Sequence, residues 1–424
     1  MGTLCVHKHT NMICAKGSAG IGIGMNVLFP EWKNFGKEDM LDAMHNLGIN
    51  VICVEFEAIH DRVNPEAEAK LDALIEEYLN KGDDSDAVFT FNYSPLISNV
   101  CKKHNVKYVA WVYDSPLVSL FSYTIINPCN HVYVFDRALA DRFASEGITT
   151  VHYMPLAANV RRLDAMHVSP SGNGRGLAPE AVKRVSGDIA FVGSMYNEKH
   201  QLYERLSSMP DFAKGYLDGI IEAQMKVQGY FFMEEMLKGP VLEEMKKALD
   251  YKPNRDGVET PEYVYANYFL ARKLAERERR HLLGMLAEEL PDSRVNLYTH
   301  NPTPELPGVH NVGAVDYYND MPYVFKCSRI NLNISLRSIQ TGIPLRCMDI
   351  MGAGGFLMSN YQADLLEHFI PGEDFVYYES DEDLISKCRY YLEHDEERRA
   401  IAANGHIKVA AAHTYEDRVR QMFM

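Results

Sequence analysis

The feature that most constrains the fold is an alternation of short apolar runs with amphipathic segments, which occurs twice along the chain. In the first series, buried strands are predicted at MNVLF, NVICVEF, AVFTFN, KYVAWVYD, HVYVFD and TVHYMPL, and helical periodicity occupies most of the intervals. Strands joined by single helices make right-handed crossovers, which build a parallel sheet. We therefore expect residues 1–160 to form a Rossmann-like domain.

A second series begins at DIAFVGS and continues with RVNLYT, RINLNI, FLMSN and DFVYYES, so residues 188–412 should form another doubly wound domain. Residues 161–187 are rich in Ser, Gly and Pro, which is typical of a linker. Amphipathic runs across about 210–290 predict a helical insertion in the second domain, and residues 413–424 predict a closing helix. The expected fold class is α/β, with two Rossmann-like domains facing a cleft, and 424 residues suit two cores.

Composition and charge limit the classes of function. A net charge of −15 argues against a general nucleic-acid or anionic-membrane surface, yet it is compatible with a local basic pocket for a phosphorylated small molecule. No window holds the roughly 18 unbroken apolar residues of a membrane span. The eight cysteines are scattered without zinc-like spacing, which indicates reduced thiols. Glycines break the apolar run near the first residue, so we expect no signal peptide and a cytoplasmic location.

Residues 331–360, NLNISLRSIQTGIPLRCMDIMGAGGFLMSN, predict a strand, a polar loop, a helix and a second strand. Pro344 suits the first turn of that helix, and three glycines end it. A helix that follows the carboxyl end of a strand presents free N–H groups and a positive dipole end, which favour anions such as phosphates. The candidate binding residues of this loop are Ser338, Thr341, Gly342, Ile343 and Pro344.

Another strand end in the second domain supplies further candidates for binding a diphosphate. Gly193 and Ser194 form a predicted turn after a strand, and Lys199 follows in the first turns of a helix. His200 is equally consistent with a surface histidine, and Lys199 with an ion pair or a solvated charge. The glycines of GSAGIGIGMN precede a strand instead of following one, so they fit a lead-in better than a dinucleotide fingerprint.

Loops of the first domain should face the same cleft. Two of them end strands with small polar groups and a proline, and they contain Asn92, Tyr93, Asp114 and Ser115. Asp114 could act as a general base toward a hydroxyl, or it could only cap the next segment.

Two more positions in this domain have open interpretations. Gly36, together with Lys33 and Asn34, either lines the cleft or shapes a turn. For Asp136 we favour a helix N-cap over a chemical role.

Several segments resemble the CgeB-like (spore maturation protein) branch of the GT-B glycosyltransferases, which are related to the group 1 glycosyltransferases. They are VFTFNYSP, YVAWVYDSP, YVFDRA, YMPLAAN, DIAFVGSMYNEKHQLYERL, HTYEDRVRQM and, most specifically, residues 331–380. The resemblance covers nearly the whole chain. It implies a metal-independent transferase that binds a nucleotide-diphosphate sugar, with a UDP-sugar as the expected donor, mainly through its second domain. It also suggests a protein or glycan as the acceptor.

In the related group 1 enzymes, two glutamates separated by seven residues contact the sugar and the nucleotide ribose. By this resemblance Asp349 takes the place of the second glutamate, whereas Thr341 takes the place of the first and cannot supply its carboxylate. A shorter Asp can still accept hydrogen bonds from a ribose diol. Arg346 would face the diphosphate as a catalytic cation, or it would instead form an i,i+3 ion pair with Asp349.

Metal-independent transfer requires helix N-termini and cations that stabilise the leaving diphosphate, and Arg346 and Lys199 are the candidate cations. No DxD-like motif lies in a suitable loop, so no metal or other cofactor is expected. Asp114 is the predicted catalytic base if transfer inverts configuration. If transfer retains it, a donor phosphate could take the proton while Asp114 positions the acceptor. The predicted function is a hexosyltransferase-type glycosyltransferase; the alternatives are a sugar-nucleotide epimerase and a non-catalytic binding or scaffold protein.

Overall fold

The computed structural model describes residues 24–32, 35–79, 86–168, 179–197, 202–249, 251–301 and 303–424. Within these residues, twelve strands form two six-stranded sheets in which all neighbouring strands are parallel. The first sheet contains β1 (Asn26–Glu31), β2 (Asn50–Glu55), β3 (Ala87–Phe91), β4 (Lys107–Val112), β5 (Asn130–Val134) and β6 (Val151–Tyr153), in the spatial order β2-β1-β3-β4-β5-β6. Its helices are α1 (Lys37–Asn46), α2 (Pro65–Tyr78), α3 (Pro95–His104) and α4 (Arg137–Ser145).

Two short helices, α5 (Val160–Asp164) and α6 (Pro179–Val185), occupy part of the segment predicted as a linker. The predicted helical insertion is present as α7 (Asp211–Met225), α8 (Met233–Met236), α9 (Gly239–Leu249), α10 (Pro261–Val264), the π-helical turn Tyr265–Leu270 and α11 (Ala271–Glu289). Buried apolar side chains such as Leu217, Met245 and Leu274 give the insertion a core of its own.

The insertion also packs against the first domain. The rings of Phe121 and Tyr263 lie 4.2 Å apart, and Ser122 Oγ donates a hydrogen bond of 2.6 Å to Asp256. Arg142 of α4 forms an ion pair of 3.2 Å with Glu234. The insertion therefore bridges both domains, although its position in the sequence places it within the second.

The second sheet contains β7 (Gly187–Val192), β8 (Val295–Tyr298), β9 (Val309–Asn311), β10 (Ser328–Asn333), β11 (Leu357–Asn360) and β12 (Val376–Tyr378), in the order β12-β11-β10-β7-β8-β9. The remaining helices are α12 (Met321–Cys327), α13 (Leu345–Gly352), α14 (Ala363–His368), α15 (Asp381–Glu393), α16 (Asp395–Ala412) and α17 (Tyr415–Phe423). The α/β class with two doubly wound domains is confirmed. Strand β9 was not predicted, because only one of its three residues, Val309, is apolar.

Side-chain caps explain where several helices begin. Asn64 accepts a hydrogen bond of 3.0 Å from Ala67 N and precedes a proline at the first position of α2. Ser380 caps α15 in the same way, and Thr414 forms a capping box with Asp417 at the start of α17. These signals are local, so the sequence alone determines them.

The last helix returns to the first domain. Tyr415, Val419 and Met422 of α17 lie in the same core as Met40 and Met44 of α1. Because this core also holds residues of β1 and β3, the closing helix completes the first domain and not the second. No helix of the described residues is long and apolar enough to cross a membrane.

The strand orders locate the candidate binding edges. Numbered from β7, the second sheet has the order 3-2-1-4-5-6 of a dinucleotide-binding fold, and its direction of winding changes between β7 and β10. Ligands of such sheets bind outside the carboxyl ends of the strands at this switch point. The first sheet changes direction between β1 and β3. The loops that follow these four strands are therefore the candidate binding loops.

Candidate functional site

The turn after β7 is held in place by contacts inside the second domain. Gly193 N donates a hydrogen bond of 3.0 Å to Tyr298 O. The hydroxyl of Ser194 donates at 2.8 Å to Asn301 Oδ1, and Met195 N donates at 2.7 Å to the same oxygen. Asn301 thus orients Ser194 and Met195, and Tyr298 holds Gly193. Lys199 and His200, like Lys33 and Asn34 of the first domain, lie outside the described residues.

Two charged residues of α11, Glu278 and Arg279, contact the loops that form the site. Neither of them was predicted from the sequence. Arg279 is buried; it donates hydrogen bonds to Ser194 O and, at 2.6 Å, to Ile334 O, so it joins the loops after β7 and β10. Burial lowers the pKa of Arg279. Glu278 is also buried and forms an ion pair with Arg337. Helical spacing could have indicated that both residues are buried, because they lie within one turn of buried Leu282.

The predicted phosphate-binding loop after β10 contacts the first domain directly. Gln340 N and Thr341 N donate hydrogen bonds of 2.8 and 3.1 Å to the carboxylate of Asp136. The Thr341 hydroxyl donates to Asp136 Oδ1 at 2.8 Å and accepts from Ala138 N at 3.0 Å. We call these four residues, with Asp364, the interdomain cap. Thr341 therefore uses its hydroxyl to hold two domains together.

Asp364 completes the interdomain cap from the second domain. Its carboxylate accepts a hydrogen bond of 3.1 Å from Arg137 N, in the first turn of α4. An added Cβ at Gly342 would lie 2.7 Å from Phe135 O, so only glycine permits this close approach. Burial raises the pKa of Asp364 to about 6 and also raises that of Asp136. The loop thus lies against the first domain, and the N–H groups of Gln340 and Thr341 are already bonded.

The structure corrects the interpretation of Asp136. The residue does occupy the N-cap position of α4, but its carboxylate makes no capping hydrogen bond there. It instead caps the loop of the other domain, at Gln340 and Thr341. The sequence could not show this, because 205 residues separate Asp136 from Thr341.

Neighbouring loop residues contribute to packing. Ile343 is fully buried in the core of the second domain, and Pro344 takes the N-cap position of α13, which begins at Leu345. Ser338 is 5% exposed, and its hydroxyl has no hydrogen-bond partner among the described residues. Of Ser338, Ile343 and Pro344, only Ser338 has a polar side chain available to a ligand.

Arg346 and Asp349 lie one turn apart on α13 and contact each other. The Nη1 of Arg346 is 3.4 Å from Asp349 Oδ2, which is the ion pair considered as the alternative to a free, phosphate-facing arginine. Asp349 is 5% exposed and accepts a hydrogen bond of 3.1 Å from the Tyr317 hydroxyl. Burial raises the pKa of Asp349 to about 6, while Arg346 and Tyr317 oppose that rise.

Tyrosines from both domains surround this pair, and none of them was predicted. The rings of Tyr317 and Tyr318 stand perpendicular with centroids 4.9 Å apart, and the Tyr113 hydroxyl donates at 2.9 Å to that of Tyr415. Gly36 lies beneath them: its N–H donates at 3.1 Å to the Tyr318 hydroxyl. Its φ of 84° and the 2.7 Å between an added Cβ and Tyr415 Oη both require glycine. Gly36 therefore serves the contact between the domains.

A buried ion pair lies beside the tyrosines. Arg162 of α5 donates to both oxygens of Asp39, at 2.7 and 2.9 Å, and Asn159 Nδ2 donates to the same carboxylate at 2.8 Å. The Arg162 guanidinium also lies 5.0 Å from the ring centroid of Tyr318. This pair connects the first domain to the segment that leads into the second.

On the first-domain side, Asn92 holds Asp114 in place. Asn92 has a left-handed backbone with φ 61°, and its Nδ2 donates at 2.8 Å to Asp114 Oδ2. Its Oδ1 accepts from Tyr113 N and Asp114 N at 2.9 and 3.1 Å. Asp114 is exposed, and Ser115 is half-buried. An exposed carboxylate with one oxygen fixed by a hydrogen bond can accept a proton from a hydroxyl.

The prediction that Tyr93 faces the cleft is wrong. Tyr93 is 3% exposed and packs in the core of the first domain. Its hydroxyl forms a hydrogen bond of 2.7 Å with Thr124 Oγ1, and burial raises its pKa to about 12. The residue after Asn92, whose φ is 61°, thus points into the core.

The described residues hold no group of three or more His, Cys, Asp or Glu side chains placed to bind a metal ion. Residues 272–424, less than half of the chain, match a family model described as glycosyl transferase-like. This part contains β10, α13 and the second-domain half of the interdomain cap. No curated protein matches the chain.

The chain is also similar to solved structures of low sequence identity. HepE of Anabaena in complex with UDP is 10% identical, with 94% of this chain and 98% of that chain covered and a TM-score of 0.47. A glycosyltransferase of Rickettsia africae is 11% identical, with 94% and 96% covered and a TM-score of 0.48. Sucrose-phosphate synthase of Thermosynechococcus elongatus is 12% identical, with 94% and 97% covered and a TM-score of 0.48. Similarities of this size do not assign a substrate.

Proposed function

We propose that this protein is a metal-independent glycosyltransferase of the hexosyltransferase type, which acts in the cytoplasm. It transfers a sugar from a nucleotide-diphosphate sugar, a UDP-sugar first of all, to a hydroxyl of a protein or glycan. The observation that carries the proposal is the glycosyl transferase-like match over residues 272–424, because this part forms the β10 side of the switch point and all of α13. The CgeB-like resemblance supports the same reaction.

The donor would bind at the switch point of the second sheet. Asp349 would accept hydrogen bonds from the ribose diol; with a pKa of about 6 it is ionised at neutral pH. Arg346, released from its pair with Asp349, would bind the diphosphate together with the N-terminus of α13, the backbone of Gly193 and Lys199. These positive groups would stabilise the charge that develops on the leaving diphosphate.

The acceptor would bind against the first domain. Asp114, oriented by Asn92, would take the proton of the attacking hydroxyl in an inverting reaction, while the sugar–phosphate bond breaks and the nucleoside diphosphate leaves. In a retaining reaction Asp114 would position the acceptor. The insertion contacts the loop beside Ser115, because the Tyr268 hydroxyl donates to Pro116 O at 3.1 Å.

Thermal unfolding with a panel of sugar nucleotides tests donor binding. We expect one UDP-sugar to raise the melting temperature equally with Mg²⁺ and with a chelator, because binding to the native state alone stabilises it. Asp349→Asn and Arg346→Gln should reduce the shift, whereas Arg420→Gln, an exposed arginine paired with Asp417 on α17, should not. Absence of a shift with every common sugar nucleotide would contradict the proposal.

The interdomain cap favours a second candidate, a non-catalytic binding or scaffold protein, because Asp136 already occupies the N–H groups of Gln340 and Thr341. Turnover distinguishes the two. A transferase releases free nucleotide only when an acceptor is present, and Asp114→Asn should abolish this release in an inverting enzyme while the protein stays folded. An epimerase would instead change the donor sugar without any acceptor. Donor binding without either product would support the scaffold.

A further inference from the structure

A cavity lies at the edge of the second sheet opposite the cleft, where β10 and β11 begin. It has a volume of about 500 Å³ and is enclosed by the end of α12, the turn after α13 and one face of α16. Small-molecule sites usually measure roughly 300–1,000 Å³. We call it the basic pocket, after four of its lining side chains: Lys326, Arg329, Arg398 and Arg399.

The four positively charged side chains of the basic pocket differ in the carboxylates with which they form ion pairs. Arg329 pairs with Asp188 at 3.2 Å and lies 3.9 Å from Asp395, whose single carboxylate also pairs with Arg398 and Arg399. Lys326 forms no ion pair within 4.0 Å among the described residues, and burial lowers its pKa. The carbonyl ends of α12 and α13 also face this edge and account for part of the positive charge. Asp164, at the end of α5, is the carboxylate whose charge acts on Lys326 from beyond that distance.

The wall of the pocket contains buried polar groups that lack partners. Ser328 is 6% and Arg398 8% exposed, and neither the Ser328 hydroxyl nor Arg398 Nε has a hydrogen-bond partner among the described residues. Such groups are uncommon in folded proteins, and each calls for a water, an ion or a ligand. Ala402 and Ala403 of α16 line the same cavity and supply an apolar surface beside the charges.

We propose that the basic pocket binds a phosphorylated small molecule, with the phosphate between Lys326 and Arg399 and the apolar part of the ligand against Ala402 and Ala403. A phosphate suits these groups, because an arginine fork and a lysine ammonium both donate to its oxygens. The cluster occurs on a chain of net charge −15, so it is not part of a generally basic surface. The pocket is distinct from the proposed donor site, which lies at the other ends of β10 and α13.

The pocket also adjoins the connection between the domains. His406, which lines it, lies 3.3 Å from Asp164 at the end of α5 and 3.0 Å from Gly352 O at the end of α13. A ligand in the basic pocket would therefore lie beside the C-terminal end of α13, the helix whose first turn carries Arg346. This position suits an effector of the proposed transferase, and that role rests on the proposed function, whereas the binding itself does not.

Calorimetric titration of the full chain with inorganic phosphate and with inorganic diphosphate, at constant ionic strength, tests the site. We expect saturable binding of at least one of them, and Lys326→Gln and Arg399→Gln should each weaken it about tenfold, the effect of losing one charge-assisted contact. Lys247→Gln and Arg420→Gln, which replace exposed cations elsewhere, should leave the affinity unchanged.

Two outcomes would overturn the proposal. One is the absence of saturable binding of either anion to the wild-type chain. The other is binding that Arg346→Gln removes and Lys326→Gln leaves intact, since the anion would then occupy the cleft. Both outcomes are independent of the test of the proposed function, because that test follows the melting temperature with sugar nucleotides. An effector role additionally predicts that phosphate changes the donor affinity in the wild type but not in Lys326→Gln.

Discussion

Replacing Asp136 and Thr341 tests whether the interdomain cap holds the two domains together. Asp136 accepts three hydrogen bonds, from Gln340 N, Thr341 N and the Thr341 hydroxyl, at 2.8, 3.1 and 2.8 Å. Asn at this position keeps one acceptor oxygen and turns an NH₂ group toward a donor. Bonds to a charged group contribute about 1.5–3 kcal/mol each, so Asp136→Asn should lower the free energy of unfolding by about 2–4 kcal/mol after the relief of carboxylate burial.

The coupling between the two residues is the decisive quantity. Thr341→Val keeps the shape of the side chain but removes its hydrogen bonds to Asp136 and from Ala138 N. The free energy of unfolding should fall by about 1–3 kcal/mol. Because one bond is common to both changes, the double variant should lose about 1–2 kcal/mol less than the sum of the single losses. Thr414→Val is the matched control, since its hydroxyl also bonds one backbone N–H and one carboxylate, those of Asp417 within α17.

Urea unfolding followed by two signals provides the assay. Both tryptophans, Trp32 and Trp111, belong to the first domain, so fluorescence follows that domain while far-ultraviolet circular dichroism follows both. Coincident transitions would justify a two-state treatment. A coupling below about 0.5 kcal/mol between Asp136→Asn and Thr341→Val would refute the assignment of the cap. An equally large coupling between Asp136→Asn and the control Thr414→Val would also refute it.

Three further predictions concern the surrounding contacts. Asp349 has a folded-state pKa of about 6, above its ordinary value of 3.8, so its contribution to stability is present below about pH 4 and is lost as the pH rises through 6. The wild type should therefore lose up to about 3 kcal/mol of unfolding free energy across this window, whereas Asp349→Asn should not. Urea titrations of both proteins at several pH values measure the difference. Gly342→Ala would place a Cβ 2.7 Å from Phe135 O and should lower the urea midpoint by an amount equivalent to about 1–3 kcal/mol, whereas Gly284→Ala, in a helix with nothing within 4 Å, should raise it. Asp39→Asn leaves the Arg162 guanidinium without its carboxylate and should cost about 3 kcal/mol by the same assay; no change in midpoint would contradict the reasoning.

The edges of the site could be predicted from the sequence because they follow from strand order. Gly193, Ser194 and the loop at 338–344 lie after β7 and β10, where the alternation of strands and helices places a switch point. The roles of individual side chains were less accessible. Tyr93 packs into a core, and Arg346 contacts Asp349. Both outcomes depend on the direction in which a side chain leaves the backbone, which the spacing of residues does not specify.

The sequence by itself determined the two parallel sheets, the caps of α2, α15 and α17, and the presence of a helical insertion, because hydrophobic period and capping act over a few neighbouring residues. Only the tertiary structure decided which polar groups meet. The closing helix joins the first core, the insertion bridges both domains, and Asp136 pairs with Thr341 across 205 residues. Such contacts form when domains dock, and the hydrogen bonds of a buried carboxylate depend on that geometry and leave no local pattern in the chain.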